Sequence, residues 1–94
     1  MSEKNDELIA QAEVGEAAKQ FMQGELGKIM LGLADQEREL AQLEMEEINP
    51  DDPKAIRAVQ ARIWRAKSFR EWLEGLVSDG DQAMRVWQQQ EQES

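Results

Sequence analysis

The sequence predicts an all-α protein, an antiparallel hairpin of two long, coiled-coil-like helices. Apolar residues recur at spacings of three and four, a turn with two prolines lies in mid-chain at 49–53, and the segments on either side carry opposite charge. Residues 35–52 contain eight acidic side chains and one arginine, whereas residues 54–70 contain six basic side chains and no acidic one. Folding one segment back on the other would offset these charges.

The first helix is predicted to span about residues 6–48. It carries an a/d pattern typical of a coiled-coil seam, with Gln36 at its one polar position: Leu26, Ile29, Leu33, Leu40 and Leu43. Four glycines, each costing a helix about 1 kcal/mol relative to alanine, fall in the same helix: Gly15, Gly24, Gly27 and Gly32. They indicate one of three alternatives. The helix bends or breaks between residues 15 and 32, or it packs closely against a backbone or the indoles of the second helix, or it deforms around a partner.

Residues 49–52 are predicted to form the turn. Asn49 precedes a proline, which disfavours helical backbone at that position, so the first helix should end near Ile48. Asp52 followed by Pro53 predicts a helix start, because the carboxylate can accept hydrogen bonds from free amides and proline loses no needed bond at the first helical position.

The second helix is predicted to span about residues 53–90, with one apolar face made by residues three or four apart: Ile56, Val59, Ile63, Ala66, Phe69, Leu73 and Leu76. Gly80 either lies within a continuous or kinked helix, or ends it and precedes a short third helix. The polar ends, residues 1–6 and 89–94, are expected to fray. One domain is expected to include the whole of residues 1–94.

All three tryptophans fall in the second helix. At 100° per residue, Trp72 is expected near the face of Phe69 and Leu73, with Trp64 towards its flank. Tryptophan and arginine together are typical of interface hot spots, and also of surfaces that stack on single-stranded nucleic acid. We expect a homo-oligomer interface, with an intramolecular core or a ligand surface as alternatives. The candidate interface residues are Leu26, Ile29, Leu33, Leu40, Trp64, Phe69, Trp72, Leu73 and Trp87.

Composition narrows the function classes. The 94 residues include no histidine and no cysteine, so the usual proton shuttle and the strongest nucleophile are absent, and we expect neither an enzyme nor a cofactor. No metal site is expected, since the calcium-loop pattern and the Glu-x-x-His motif are both missing. No apolar run is long enough for a membrane span and the polar N-terminus is no secretory signal, so a cytoplasmic location is expected.

Charge is distributed unevenly along the chain. The formal net charge is −9; residues 1–51 hold 4 basic and 13 acidic side chains, whereas residues 52–94 hold seven of each. Nucleic acid is therefore not expected as a partner, because binding to phosphates depends on cationic groups. A basic protein surface is the alternative partner, which an acidic inhibitor or decoy would occupy. The candidate acidic patch consists of Glu37, Glu44, Glu46 and Glu47.

The stretch 55–84 resembles small helical proteins encoded by tailed bacteriophages and prophages. In those proteins a Gln and an aromatic–Leu pair recur along a helix that ends in an acidic–Gly segment, as Trp72–Leu73 and Asp79–Gly80 do here. The resemblance implies an assembly, accessory or host-takeover role in a bacterial cell or virion, and it carries over no functional residue. The sequence thus favours a non-enzymatic assembly or adaptor module, with the acidic decoy as the second hypothesis.

Overall fold

A computed structural model describes residues 3–93 as three α-helices, with no strand in that part of the chain. Helix α1 spans Glu3–Gln23, α2 spans Glu25–Glu47 and α3 spans Pro53–Glu93. The all-α prediction is confirmed. The prediction of two long helices is not, because the first arm consists of two helices that meet at Gly24. Positions 3–6 and 89–93, where fraying is expected, are helical, and positions 1, 2 and 94 lie outside the described residues.

Helix α3 is the central element of the fold. Both α1 and α2 pack against it, and they contact each other more sparingly at their junction. At 1.5 Å per residue its 41 residues span roughly 61 Å, close to the longest dimension of the described chain, 63 × 29 × 16 Å. The molecule is therefore extended, and its core is a thin strip along α3. No helix within residues 3–93 has the length and apolar composition needed to cross a membrane.

The turn between α2 and α3 follows the predicted local chemistry. Ile48 has extended backbone and ends α2. The Asn49 Oδ1 accepts a hydrogen bond from the Asp51 amide at 3.0 Å, and the Asp52 Oδ1 accepts one from the Ala55 amide at 3.1 Å. The aspartate thus caps the first turn of α3, as the Asp-Pro pair predicts.

The break between α1 and α2 occurs at Gly24, whose backbone is extended (φ −76°, ψ 166°). Its amide still donates to the Gln20 carbonyl at 2.9 Å, so the last turn of α1 remains closed. One turn later Gly27 is buried so tightly that a Cβ on it would lie 1.6 Å from the Phe21 carbonyl oxygen. The end of α1 therefore folds onto the first turn of α2, and only glycine fits at that contact.

The core along α3 is built from small and medium residues spaced seven apart. Val59, Ala66, Leu73 and Gly80 are all buried, and they share one face because seven residues bring a helix back to within about 20°. The buried residues that α1 and α2 contribute are Gly15, Ala18, Gly27, Leu31 and Ala41.

Helix α3 continues through Gly80, so of the two alternatives for this position the continuous helix is correct. The glycine has a packing role instead. A Cβ built on Gly15 would lie 2.7 Å from the Gly80 Cα, and the reciprocal distance is the same. Helices α1 and α3 therefore cross with their backbones in contact at this pair.

Candidate interaction surfaces

The apolar a/d pattern of α2 is exposed. Its five members, which we call the leucine seam, are between 51% and 63% exposed: Leu26, Ile29, Leu33, Leu40 and Leu43. Helix α2 packs on α3 through a different stripe, which includes Leu31 and Ala41. Leu33 is about 160° around the helix from Leu31. The strongest apolar repeat in the sequence therefore contributes little to the core of one chain. Gln36, its polar position, is also exposed.

Two of the three tryptophans are also exposed. Trp64 is 68% and Trp72 67% exposed, and Ser68 lies between them on the same side of α3. We call these three residues the tryptophan face. Trp72, predicted near the face of Phe69 and Leu73, lies outside the buried stripe of α3, because that stripe is centred on the Val59–Leu73 repeat and each step along a helix turns the side chain by about 100°.

The remaining predicted interface residues lie inward. Leu73 is buried, and Phe69 packs partly buried against the core cluster. The half-buried Trp87 lines an open groove of about 620 Å³ between α1 and α3, together with Leu8, Ile9 and Met84. The structure thus separates the predicted set into two exposed surfaces and a group that belongs to the chain's own packing. Sequence reasoning missed Leu31, because that residue lies outside the a/d pattern.

Ion pairs of two arginines connect α3 to α2. The Arg62 Nε donates to Glu37 Oε1 at 2.9 Å, and the Nη1 of the same guanidinium donates to Glu44 Oε2. Arg70 makes a two-pronged contact with Asp35, with nitrogen–oxygen distances of 3.2 and 2.7 Å. The predicted offsetting of charge between the two arms therefore occurs at these two arginines. Higher numbers on α3 pair with lower numbers on α2, as antiparallel helices require.

The same contacts divide the candidate acidic patch. Glu37 and Glu44 both bond to Arg62, whereas Glu46 and Glu47 are exposed and form no ion pair with another described residue. Within residues 3–93 no group of three acidic side chains is close enough together to hold a metal ion. Two of the four residues of the candidate acidic patch therefore form ion pairs within the chain.

The Asp35–Arg70 pair predicts a small pH dependence of stability. The hydrogen bond from Arg70 lowers the pKa of the Asp35 carboxyl, and the positive charges of Arg70 and Arg38 act in the same direction. A carboxyl with a lowered folded-state pKa adds stability above its ordinary pKa of about 3.9, which is lost as pH falls through the folded value. Asp35 is half exposed, so solvent screening limits the effect to about 0.5–1 kcal/mol.

Urea unfolding of the wild type and Asp35→Asn between pH 7 and pH 2.5 measures this dependence. The wild type should be the more stable at pH 7, and its advantage should shrink below about pH 4. Glu46→Gln is the matched control, since it removes a carboxylate that forms no ion pair within the described chain. An advantage of equal size at both ends of the pH range would contradict the assignment.

No protein-family model, no curated protein and no solved structure matches this chain.

Proposed function

We propose that the protein is a non-enzymatic assembly or adaptor module that associates with further copies of itself and with other proteins. The observation that carries the proposal is the leucine seam, five aliphatic side chains at coiled-coil spacing that are half or more exposed in the single chain. Isolated apolar side chains are common on protein surfaces, but a contiguous apolar stripe is typical of an interface.

A second exposed apolar surface supports the proposal. The tryptophan face lies on α3 and is turned away from the buried repeat of Val59, Ala66 and Leu73. A chain with apolar surfaces on two different sides can contact two neighbours at once, which is what an assembly unit needs. The thin core agrees with this, because small helical chains bury little apolar surface alone and gain stability by association.

The alternative function, an acidic decoy for a basic protein surface, has less support. Its candidate patch is reduced by the Arg62 contacts of Glu37 and Glu44. Glu46 and Glu47 remain, but two exposed carboxylates at a helix end are ordinary solvated charges. The bacteriophage origin rests on the resemblance of residues 55–84 alone.

Light scattering coupled to size exclusion tests the proposal, at micromolar concentrations and two salt levels. The wild type should form a discrete or concentration-dependent oligomer that persists at high salt, because apolar contacts are insensitive to screening. A fully folded monomer throughout the range would overturn the proposal.

Leu33→Asp should weaken the association that involves the leucine seam. Burying one leucine side chain contributes about 1.5–3 kcal/mol, so the apparent dissociation constant of that step should rise roughly 10- to 100-fold. Gln42→Asp is the control, because it places the same group on α2 at an exposed polar position outside the seam. Equal masses for both variants at every concentration would exclude the seam as a contact between copies of this chain.

A further inference from the structure

We infer that the tryptophan face is a two-fold symmetric contact, at which α3 of a second copy packs antiparallel with the symmetry axis at Ser68. The inference rests on the proposed self-association and names the surface, the partner and the register. Its starting point is the spacing of the face: Trp64 and Trp72 lie four residues before and four residues after Ser68. An antiparallel two-fold axis at residue 68 places Trp64 level with Trp72 of the partner subunit, and the reverse.

The charged residues beside the face follow the same symmetry. Arg65 and Glu71 lie three residues to either side of Ser68, and Arg57 and Asp79 lie eleven residues to either side. The two-fold axis therefore brings each arginine level with an acidic residue of the other copy. Arg57, Arg65 and Asp79 have no ion-pair partner among the described residues of their own chain, whereas Glu71 has an exposed one, the Lys67 Nζ at 3.6 Å. The inward-facing Arg62 and Arg70, by contrast, are already bonded to α2.

Small residues lie where the partner's indoles need space. Ala61 and Gly75 are seven residues before and after Ser68, so each would lie beside an indole of the other copy. A Cβ built on Gly75 would meet nothing within 4 Å, so packing within one chain does not account for this glycine. Large side chains from one helix would then fit beside small ones of the other, as in interdigitated helix packing.

The leucine seam fits a second copy less well. Its flanks carry Glu39 and Glu47, which are exposed and form no ion pair with another described residue, and two copies packed seam to seam would bring these acidic residues together. The tryptophan face carries both signs of charge in a self-complementary order. A fully covered indole buries about 150–250 Å² of surface, and about two-thirds of the surface of Trp64 and of Trp72 is exposed in the single chain. The four indoles of a dimer would therefore contribute roughly 400–700 Å² to the buried area of a standard interface.

Cysteine cross-linking tests the inference, because the chain has no cysteine of its own. Ser68→Cys places one thiol from each copy at the axis. With helix axes 8–10 Å apart and Cα atoms about 2.3 Å from each axis, the two Cα atoms lie about 3.5–5.5 Å apart, within reach of a disulfide. Under mild oxidation this variant should run mainly as a covalent dimer on a non-reducing gel.

Ser78→Cys is the matched control, since it makes the same substitution on the same helix at an exposed site. Residue 78 is ten residues from the axis, so its two thiols lie about 30 Å apart in the antiparallel dimer. The Ser78→Cys variant should therefore stay monomeric on the gel. If α3 packed parallel and in register, Ala61→Cys and Gly75→Cys would each cross-link to their own copies, because both residues lie within about 20° of Ser68 around the helix. A mixture of Ala61→Cys and Gly75→Cys should give the mixed dimer in preference to either self-dimer, which checks the register without changing Ser68.

The outcomes separate this inference from the proposed function. A wild type that is oligomeric by light scattering while Ser68→Cys fails to cross-link, or cross-links no better than Ser78→Cys, overturns the inference and leaves the self-association intact. A wild type that is a folded monomer at all concentrations overturns both. Selective cross-linking at residue 68, reduced at least tenfold in yield by adding Trp64→Ala and Trp72→Ala, supports both.

Discussion

Gly15→Ala should leave the protein about 1–3 kcal/mol less stable than Gly32→Ala, although the two variants differ only in position. Both gain the same helix propensity, up to about 1 kcal/mol. At Gly32 the new Cβ meets nothing within 4 Å, so the gain is kept. At Gly15 the Cβ would lie 2.7 Å from the Gly80 Cα and 2.9 Å from the Leu76 carbonyl oxygen. These are backbone atoms, so α1 and α3 must move apart to admit the methyl group.

Urea unfolding followed by helical circular dichroism, with both variants at the same protein concentration, measures the difference. Gly80→Ala should behave like Gly15→Ala, because a Cβ there meets the Gly15 Cα at 2.7 Å and the Gln11 carbonyl oxygen at 3.0 Å. The double variant should cost less than the sum of the two, since the first methyl group already separates the helices. A Gly15→Ala protein as stable as Gly32→Ala would show that the crossing is not close-packed in solution.

The crossing also shows what the sequence can and cannot predict. Gly80, next to Asp79 and Asp81, has the local chemistry of a helix end. Its actual partner, Gly15, is 65 positions away in the sequence, so no local pattern links the two residues. The turn at residues 49–53 was predictable because its determinants, the Asn49 and Asp52 side chains and the prolines, act within three residues of where they lie.

The leucine seam illustrates a different limit. Its repeat was visible, but a repeat specifies only that its residues share a face, and whether that face meets α3 or another molecule depends on the whole packing. Helix α2 meets α3 through Leu31 and Ala41, and Arg62 and Arg70 bond to acidic side chains beside that buried stripe. The exposure of Trp72 is hard to predict for a related reason, since one residue of uncertainty in the centre of a helix face is about 100° of rotation.

The glycines of the first arm were the one sequence signal for its shape. Both a break and a close backbone approach were open alternatives, and the structure contains both: a break at Gly24 and a crossing at Gly15. Close packing against indoles does not apply to Trp64 or Trp72, which are exposed, and a helix that deforms around a partner stays a hypothesis. Choosing among these possibilities required the position of the Phe21 carbonyl against Gly27, a contact set by the angle between two helices.

That contact makes Gly27→Ala the substitution with the largest expected effect. A Cβ would lie 1.6 Å from the Phe21 carbonyl oxygen and 2.5 Å from its carbon, both backbone atoms that no side-chain rotation can move aside. The junction of α1 and α2 must therefore open, which withdraws α1 from α3 and uncovers the core contacts of Ala18. We expect a loss of about 3 kcal/mol or more, at or beyond the upper end of ordinary overpacking costs.

Shape distinguishes this loss from general destabilisation. If the junction opens and α1 leaves α3, the chain becomes more extended than its present 63 Å length. Small-angle X-ray scattering, extrapolated to zero concentration, should then give a radius of gyration above that measured for the wild type, whose Cα atoms alone have a radius of gyration of 18.9 Å. Gly32→Ala, which adds the same methyl group to an open position of the same helix, should keep the wild-type radius. Because α1 would no longer lie along α3, the groove lined by Leu8 and Trp87 should disappear in Gly27→Ala alone. A variant that kept the wild-type radius and stability would mean that the Phe21–Gly27 contact does not determine the bend between the two helices.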